Sequence, residues 1–215
     1  MGKKVVDDRD VQFVIWEQIG LEKYLDNPLF KGYGKDEFNM IFEEASKFAE
    51  GQVYEANFSG DQEGVHIVDG QTKAPPSYAA PYDTMCEGGW VGLASSEEYG
   101  GQGLPEIIGI AVTEKVMSAS IAFSMYPGLT NAACHLIEEC CTDEQKQKYL
   151  PDIAAGKKLA AFGLTEADAG SDALGMRSVA RKEGDHYILN GTKQWITNGE
   201  NAETYTVLAK TNPDK

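Results

Sequence analysis

The sequence predicts an α+β fold: an N-terminal all-α helical domain over residues 1–157, followed by a truncated antiparallel β-barrel-like domain over residues 158–215. Three observations carry this. Apolar residues recur at three- and four-residue steps until about residue 155, the period of an amphipathic helix. After Gly156 the period shortens toward two, with glycine-marked turns between short apolar runs. Hydrophobic residues make up 42% of the 215 positions, enough for a packed core and against wholesale disorder.

The elements follow in order. Val11, Val14, Ile15 and Ile19 sit at helical spacing between Asp8 and Ile19, and Gly20 ends that helix. Pro28, Gly32 and Gly34 mark a loop. Phe38, Ile41, Phe42, Ala45, Phe48 and Ala49 then predict a long helix from Asp36 to about Asn57. Ser59 to Tyr82, rich in Gly and Pro, reads as loop, with a short helix near Tyr82 to Cys86. Pro105 suits the first turn of a helix through Ile107, Ile108, Ala111, Val112 and Val116, reaching toward Ala122. A further helix is expected from Leu129 to Cys141. Thr142 and Gln145 form a capping-box pattern for a last one ending near Pro151. Leu159–Leu164, Arg177–Lys182, Tyr187–Asn190 and Thr204–Lys210 read as strands. No internal repeat or low-complexity tract interrupts them.

Composition narrows the function. A net charge of −15 argues against a nucleic-acid partner, which needs clustered Lys and Arg. It gives no support for binding at a membrane surface, and no apolar run is long enough to span a bilayer. The two N-terminal lysines are not followed by an apolar stretch, so a secretory signal is not expected and a cytoplasmic location is. An anionic ligand would need a local basic patch, for which Arg177, Arg181, Lys182 and Lys193 are the candidates. Cys86, Cys134, Cys140 and Cys141 match no zinc spacing and read as buried thiols in a reducing compartment. His66, His135 and His186 have no companion at metal or triad spacing.

Two segments carry the chemistry: Phe162-Gly-Leu-Thr-Glu-Ala-Asp-Ala-Gly-Ser-Asp172 and Asn190-Gly-Thr-Lys-Gln-Trp-Ile-Thr-Asn-Gly199. Together they supply close-approach backbone, hydroxyls and an aromatic face, the groups a flat polar cofactor needs. Singly they are weak. Gly170-Ser171-Asp172 beside Thr165-Glu166 could be an ordinary capped turn. Trp195 lies in a strand-like alternating run, where a core aromatic is the plain alternative, and Thr197 alone would be a strand threonine. Neither segment is a GxGxxG fingerprint or a nucleophile elbow. Tyr99-Gly-Gly-Gln-Gly103 lacks the Lys-Ser/Thr ending of a P-loop and reads as a turn.

The order of segments adds a resemblance. Glu97-Glu-Tyr-Gly-Gly-Gln-Gly-Leu-Pro105 resembles the N-terminal-domain signature of the acyl-CoA dehydrogenase family, and Gln147 to Lys157 resembles the stretch leading into its middle domain. Ala161–Asp172 and Asn190–Gly199 resemble its two flavin segments. The resemblance covers Tyr78 to Lys215; the earlier part looks more like the extended N-termini of larger members.

By that match FAD is the cofactor, bound by Phe162, Gly163, Leu164, Thr165, Gly170, Ser171, Trp195, Ile196 and Thr197. Thr165 would bond the pyrimidine side of the ring, Trp195 would pack by the flavin and Thr197 would lie near N5. Ser171 would also contact the acyl-CoA substrate. Ala167-Asp168 replaces the family's usual Pro-Gly or similar pair, adding a negative charge to that loop. The implied reaction is α,β-dehydrogenation of an acyl-CoA thioester, with electron-transfer flavoprotein as electron acceptor and a homo-oligomer as the complete assembly.

No catalytic residue and no metal ligand is assigned. The family's catalytic glutamate lies in a C-terminal helical domain that does not occur here, and Glu166 matches a structural position of the loop. The expectation is a truncated chain or one half of a split enzyme, needing the C-terminal half in cis or trans and poorly active alone. Two alternatives stand beside it: a non-catalytic partner subunit of the same fold, and an oxygen-using acyl-CoA oxidase-like flavoprotein.

Overall fold

A computed structural model describes residues 5–212. Met1–Lys4, which carry the two lysines used against a secretory signal, lie outside the described residues.

Helix α1 (Asp8–Gln12) starts at Asp7, whose carboxylate accepts the Arg9 N–H at 3.1 Å, and continues through a π-helical turn at Phe13–Gln18. Gly20 stops it at φ +67°. Of the predicted face, Val11 and Ile15 are buried but Val14 and Ile19 are exposed, and Trp16, outside that face, is buried instead. Helix α2 (Lys35–Phe48) runs through a second π-helical turn, Ala49–Val53, into α3 (Tyr54–Glu63), beyond the expected end at Asn57. Packing explains the extension. A Cβ on Gly60 would come within 2.3 Å of the Tyr78 ring, so glycine here is what lets that ring lie against α3. Tyr78 in turn meets Phe123 edge-on, with ring centroids 5.5 Å apart.

The stretch read as loop also holds a hairpin, β1 (His66–Val68) with β2 (Gln71–Lys73), antiparallel. Asp69 and Gly70 form its turn, both at positive φ (53° and 78°), the geometry favoured by two-residue hairpins. Helix α4 spans Ala79–Glu87. Helix α5 (Glu106–Ala119) follows Pro105, and Ser120 then breaks the chain at extended φ and caps α6 (Ile121–Cys140), accepting the Phe123 N–H at 3.2 Å. The expected gap before Leu129 is therefore helical. Pro127-Gly128 lies inside α6, with Pro127 buried. Helix α7 (Asp143–Ala154) has the predicted capping box, with Gln145 N–H to Thr142 Oγ1 at 3.3 Å and Thr142 N–H to Gln145 Oε1 at 3.0 Å.

Three apolar clusters bind these helices. One joins α1, α2 and α5; a second joins α2, α3, α4 and the start of α6; the third joins α6, α7 and the first strand of the β part. Between them lies Lys115, 0% exposed, whose ammonium donates to Asp8 Oδ1 at 2.7 Å and Ser46 Oγ at 2.9 Å. The ion pair fastens α1 to α2 and α5.

All four expected strands form: β3 (Ala160–Gly163), β4 (Val179–Glu183), β5 (His186–Asn190) and β6 (Thr204–Val207). Their pairing differs from expectation. β4 and β5 make an antiparallel hairpin, but β3 and β6 pair in parallel, and the described residues form no closed barrel. Parallel neighbours need a long crossover, and the whole segment with both candidate site loops supplies it. No helix of the described residues is long and apolar enough to cross a membrane. The thiols are free. Cys134 is buried, Cys86 and Cys141 are half-buried and Cys140 is exposed, so the expectation of four buried thiols holds fully only at Cys134.

Candidate functional site

The first predicted segment runs out of the C-terminal end of β3, the second follows β5, and the two meet. Phe162 is half-buried in β3, and Gly163 O accepts the Leu208 N–H at 3.0 Å. The chain then turns outward: Leu164 O accepts Lys193 Nζ at 2.8 Å, and Thr165 O accepts the Gln194 N–H at 2.9 Å. These two bonds join the first segment to the second.

Glu166 is the hub beneath them. It is 8% exposed, and its carboxylate accepts the Arg177 N–H at 2.6 Å, the Ser178 N–H at 3.0 Å and Lys193 Nζ at 2.8 Å. The Lys193 bond first, then those from Ser178 and Arg177, lower its pKa to about 2. Charged and saturated, it cannot serve as a base near neutral pH. Its own N–H and C=O pair with Ala169 and close the small turn that presents Gly170 and Ser171, the latter exposed.

The second segment is not the strand its alternation suggests. Residues 191–199 form no strand, and the chain bends at Trp195 (φ +58°) and turns from Thr197 through Asn198 (φ +63°). Trp195 is 83% exposed, so the core-aromatic alternative fails. Ile196 and Thr197 are half-buried and line a cleft of about 390 Å³ beside Met125 and Tyr126 of α6. The turn is riveted to the helical part by Asn198. Its Nδ2 reaches Tyr126 O at 3.0 Å, Ala160 O at 3.1 Å and Thr130 Oγ1 at 3.3 Å.

Glu166 is expected as a structural position of the loop, whereas Lys193, read only as part of a basic patch, and Asn198 are not expected in the framework of the site. Opposite charges in the two segments and the Asn198-Gly199 dipeptide, a turn signal that tolerates positive φ, are the cues that could have found them. The proposed basic patch does not form as such. Arg177 pairs with Asp168 at 2.9 Å, Arg181 with Glu183 at 2.6 Å and Lys193 with Glu166 at 2.8 Å. The Ala167-Asp168 departure thus has a local partner in Arg177. A larger apolar cleft, about 780 Å³, lies between α5 and α6 and includes Ile110, Met117, Ile121 and Ser124. Among the described residues no group of three or more His, Cys, Asp or Glu is placed to hold a metal.

The arrangement fits a flat heteroaromatic cofactor. A large indole stands in water on a positive-φ turn, the Thr165 and Thr197 hydroxyls are half-buried, and a Cβ on Gly170 would meet nothing nearer than Thr165 Cγ2 at 3.8 Å. An exposed tryptophan in a backbone conformation that costs energy is costly unless something covers it.

Comparison with known proteins shows the family. Residues 35–157 match the family model described as acyl-CoA dehydrogenase, N-terminal domain, and residues 161–215 match that of the middle domain. The chain is 34% identical over 217 residues to 3-methylmercaptopropionyl-CoA dehydrogenase of Ruegeria pomeroyi, an alignment covering 96% of this chain and 36% of the relative. It is 42% identical over 135 residues to the short-chain specific acyl-CoA dehydrogenase of Clostridium acetobutylicum, covering 61% and 35% respectively. It superposes on the acyl-CoA dehydrogenase complexed with FAD from Bacillus anthracis with a TM-score of 0.66 at 33% identity, over 82% of this chain and 29% of that one. The chain spans about a third of the length of these curated relatives.

Proposed function

Because the chain belongs to the acyl-CoA dehydrogenase family, we propose that it supplies part of the flavin and thioester site for the FAD-dependent α,β-dehydrogenation of an acyl-CoA to the trans-2-enoyl-CoA. The observation that carries this is the junction of the two segments, Gln194 N–H to Thr165 O at 2.9 Å over the Glu166–Lys193 pair.

Bound FAD would supply the hydride acceptor. The chain's own residues bind and orient. The Thr165 hydroxyl and backbone hold the polar edge of the ring, backed by Phe162, Gly163 and Leu164. The Gly170-Ser171 turn approaches cofactor and thioester. Trp195 covers one side, and Ile196 and Thr197 border the reacting edge, where a half-buried hydroxyl can donate a hydrogen bond. Glu166 holds its charge and moves no proton, so this chain contributes framework rather than the base. Delivery of electrons to an electron-transfer flavoprotein, assembly into a homo-oligomer and a cytoplasmic location belong to the same proposal.

The test is the visible spectrum of the protein mixed with FAD, followed by anaerobic titration with acyl-CoA. Uptake of oxidised flavin is expected, with bleaching on titration only where a catalytic base from beyond these residues is supplied. A folded protein that takes up no flavin sinks the reading.

A further inference from the structure

Lys193 is the one cation of the site whose side chain is largely buried, 13% exposed, and it stands where the two segments cross. Its ammonium donates to Leu164 O at 2.8 Å and to Glu166 Oε1 at 2.8 Å. Two of its three donors are thus spent inside the protein, which suits a fastening better than a counter-charge for an outside anion. Up to Gly163 the backbone is engaged by β6, where Gly163 O accepts the Leu208 N–H at 3.0 Å. Beyond it the second segment takes over, Lys193 holding Leu164 O and the Gln194 N–H holding Thr165 O at 2.9 Å. A planar trans peptide sets its C=O and the following N–H on opposite sides. With Leu164 O drawn to Lys193, the Thr165 N–H faces the other way, and it has no hydrogen-bond partner among the described residues. Main-chain donors in half-buried residues are ordinarily paired, so this one is open to a ligand acceptor.

We infer that Lys193 is a positioning residue for the flavin: it turns the Leu164–Thr165 peptide so that the Thr165 N–H, and not the Leu164 oxygen, is offered to acceptor atoms on the polar edge of the ring. The inference rests on the reading of Thr165 as a flavin contact. Lys193 acts at one remove, through Leu164 O. Glu166, 8% exposed, keeps the ammonium in place, because a pair so shielded is little weakened by salt. A flipped peptide would set the Leu164 carbonyl against those acceptors and leave the ammonium only Glu166. The same lysine directly precedes Gln194 and Trp195, so one side chain fixes both the donor on the first segment and the start of the indole's turn on the second.

Hydrogen exchange and FAD titration test it. In the protein without FAD, the Thr165 amide should exchange freely and the Gln194 amide slowly. Lys193→Met should speed exchange at Gln194 about tenfold while the Leu208 amide stays protected. A Thr165 amide already protected, or Gln194 exchange unmoved, overturns the inference. On loading with FAD the Thr165 amide should gain protection in the native chain and not in Lys193→Met, which should bind FAD about tenfold more weakly. Lys193→Arg, whose guanidinium still donates to both oxygens, should recover most of that affinity. If Lys193 serves only to neutralise Glu166, the double variant Lys193→Met/Glu166→Gln regains native affinity, and that result overturns the inference. Should Lys193→Met not fold, the native chain decides: no gain of protection at Thr165 on loading overturns it. If the native protein takes up no FAD, the functional reading falls, while exchange at Gln194 still decides whether Lys193 holds this peptide.

Discussion

The helical part and the strand part are held by opposite means. The helices bury Phe38, Phe42, Ile108, Phe123, Leu150 and Ile153 almost completely and carry one fully buried ammonium, Lys115. Among the described residues the strand part buries only small apolar residues, Ala160, Ala161, Ala169 and Ala202, beside the polar Glu166, Ser178, Asn198 and Thr206, and leaves Leu174 at 84% and Trp195 at 83% exposure. Area holds the first, and specific bonds hold the second. A surface shaped by a few polar anchors keeps its apolar side chains outward, where a ligand can use them.

The largest break in this contrast should come where the helical part departs from its own rule. Asp8→Ala leaves Lys115 buried without its carboxylate and should cost about 3 kcal/mol in denaturant unfolding, toward the low end for a buried pair because Asp8 keeps a water-facing edge. Lys115→Met in the same chain should recover most of that loss; no recovery means the charge is not the cause. Next comes the rivet between the parts. Asn198→Ala removes the Nδ2 bonds to Tyr126 O, Ala160 O and Thr130 Oγ1 and puts a residue without a polar side chain at positive φ, for about 2 kcal/mol.

A more local effect follows in the strand part. The Glu166 carboxyl is held at about 2 when folded, below its ordinary 4.5, so its contribution is complete above that ordinary value and is lost as pH falls from about 4.5 toward 2. Exchange at the Arg177 and Ser178 amides should accelerate through that window in the native chain. In Glu166→Gln it should be fast already and nearly independent of pH there. Trp195→Ala should be smallest for the fold, leaving the unfolding midpoint unmoved while weakening FAD binding by about 1 kcal/mol. A shifted midpoint would mean that the indole packs on the protein.

What was legible divides along the same line. Val11, Ile15, Phe38 and Phe42 are spaced by the helix that buries them, and Pro105 and the Thr142/Gln145 pair mark helix starts, because these signals are local and periodic. Ser59-Gly60 reads as loop and lies in helix, since Tyr78 on Gly60 is a tertiary fact, and the helix expected from Leu129 begins at Ile121 with Pro127 buried inside it. The four strands were visible as runs, whereas the parallel partnership of β3 with β6 was not, because pairing partners leave no trace in spacing. At the site, the resemblance named Thr165, Ser171, Trp195 and Thr197. The residues that hold those loops in place, Glu166, Lys193 and Asn198, act through bonds between distant segments and carry no period.

The β3–β6 pair also sets an order of events during synthesis. Ala160–Gly163 emerges well before Thr204–Val207, so β3 must wait for its neighbour. α6 offers it somewhere to wait, because the Thr130 hydroxyl already meets the Ala160 N–H at 3.3 Å. The residues from Thr165 to Thr197 lie between the two strands, so the crossover that carries both site loops is closed only once the later strand docks. Cofactor uptake would then serve as a sign that translation has passed β6 and the nascent chain has closed behind it.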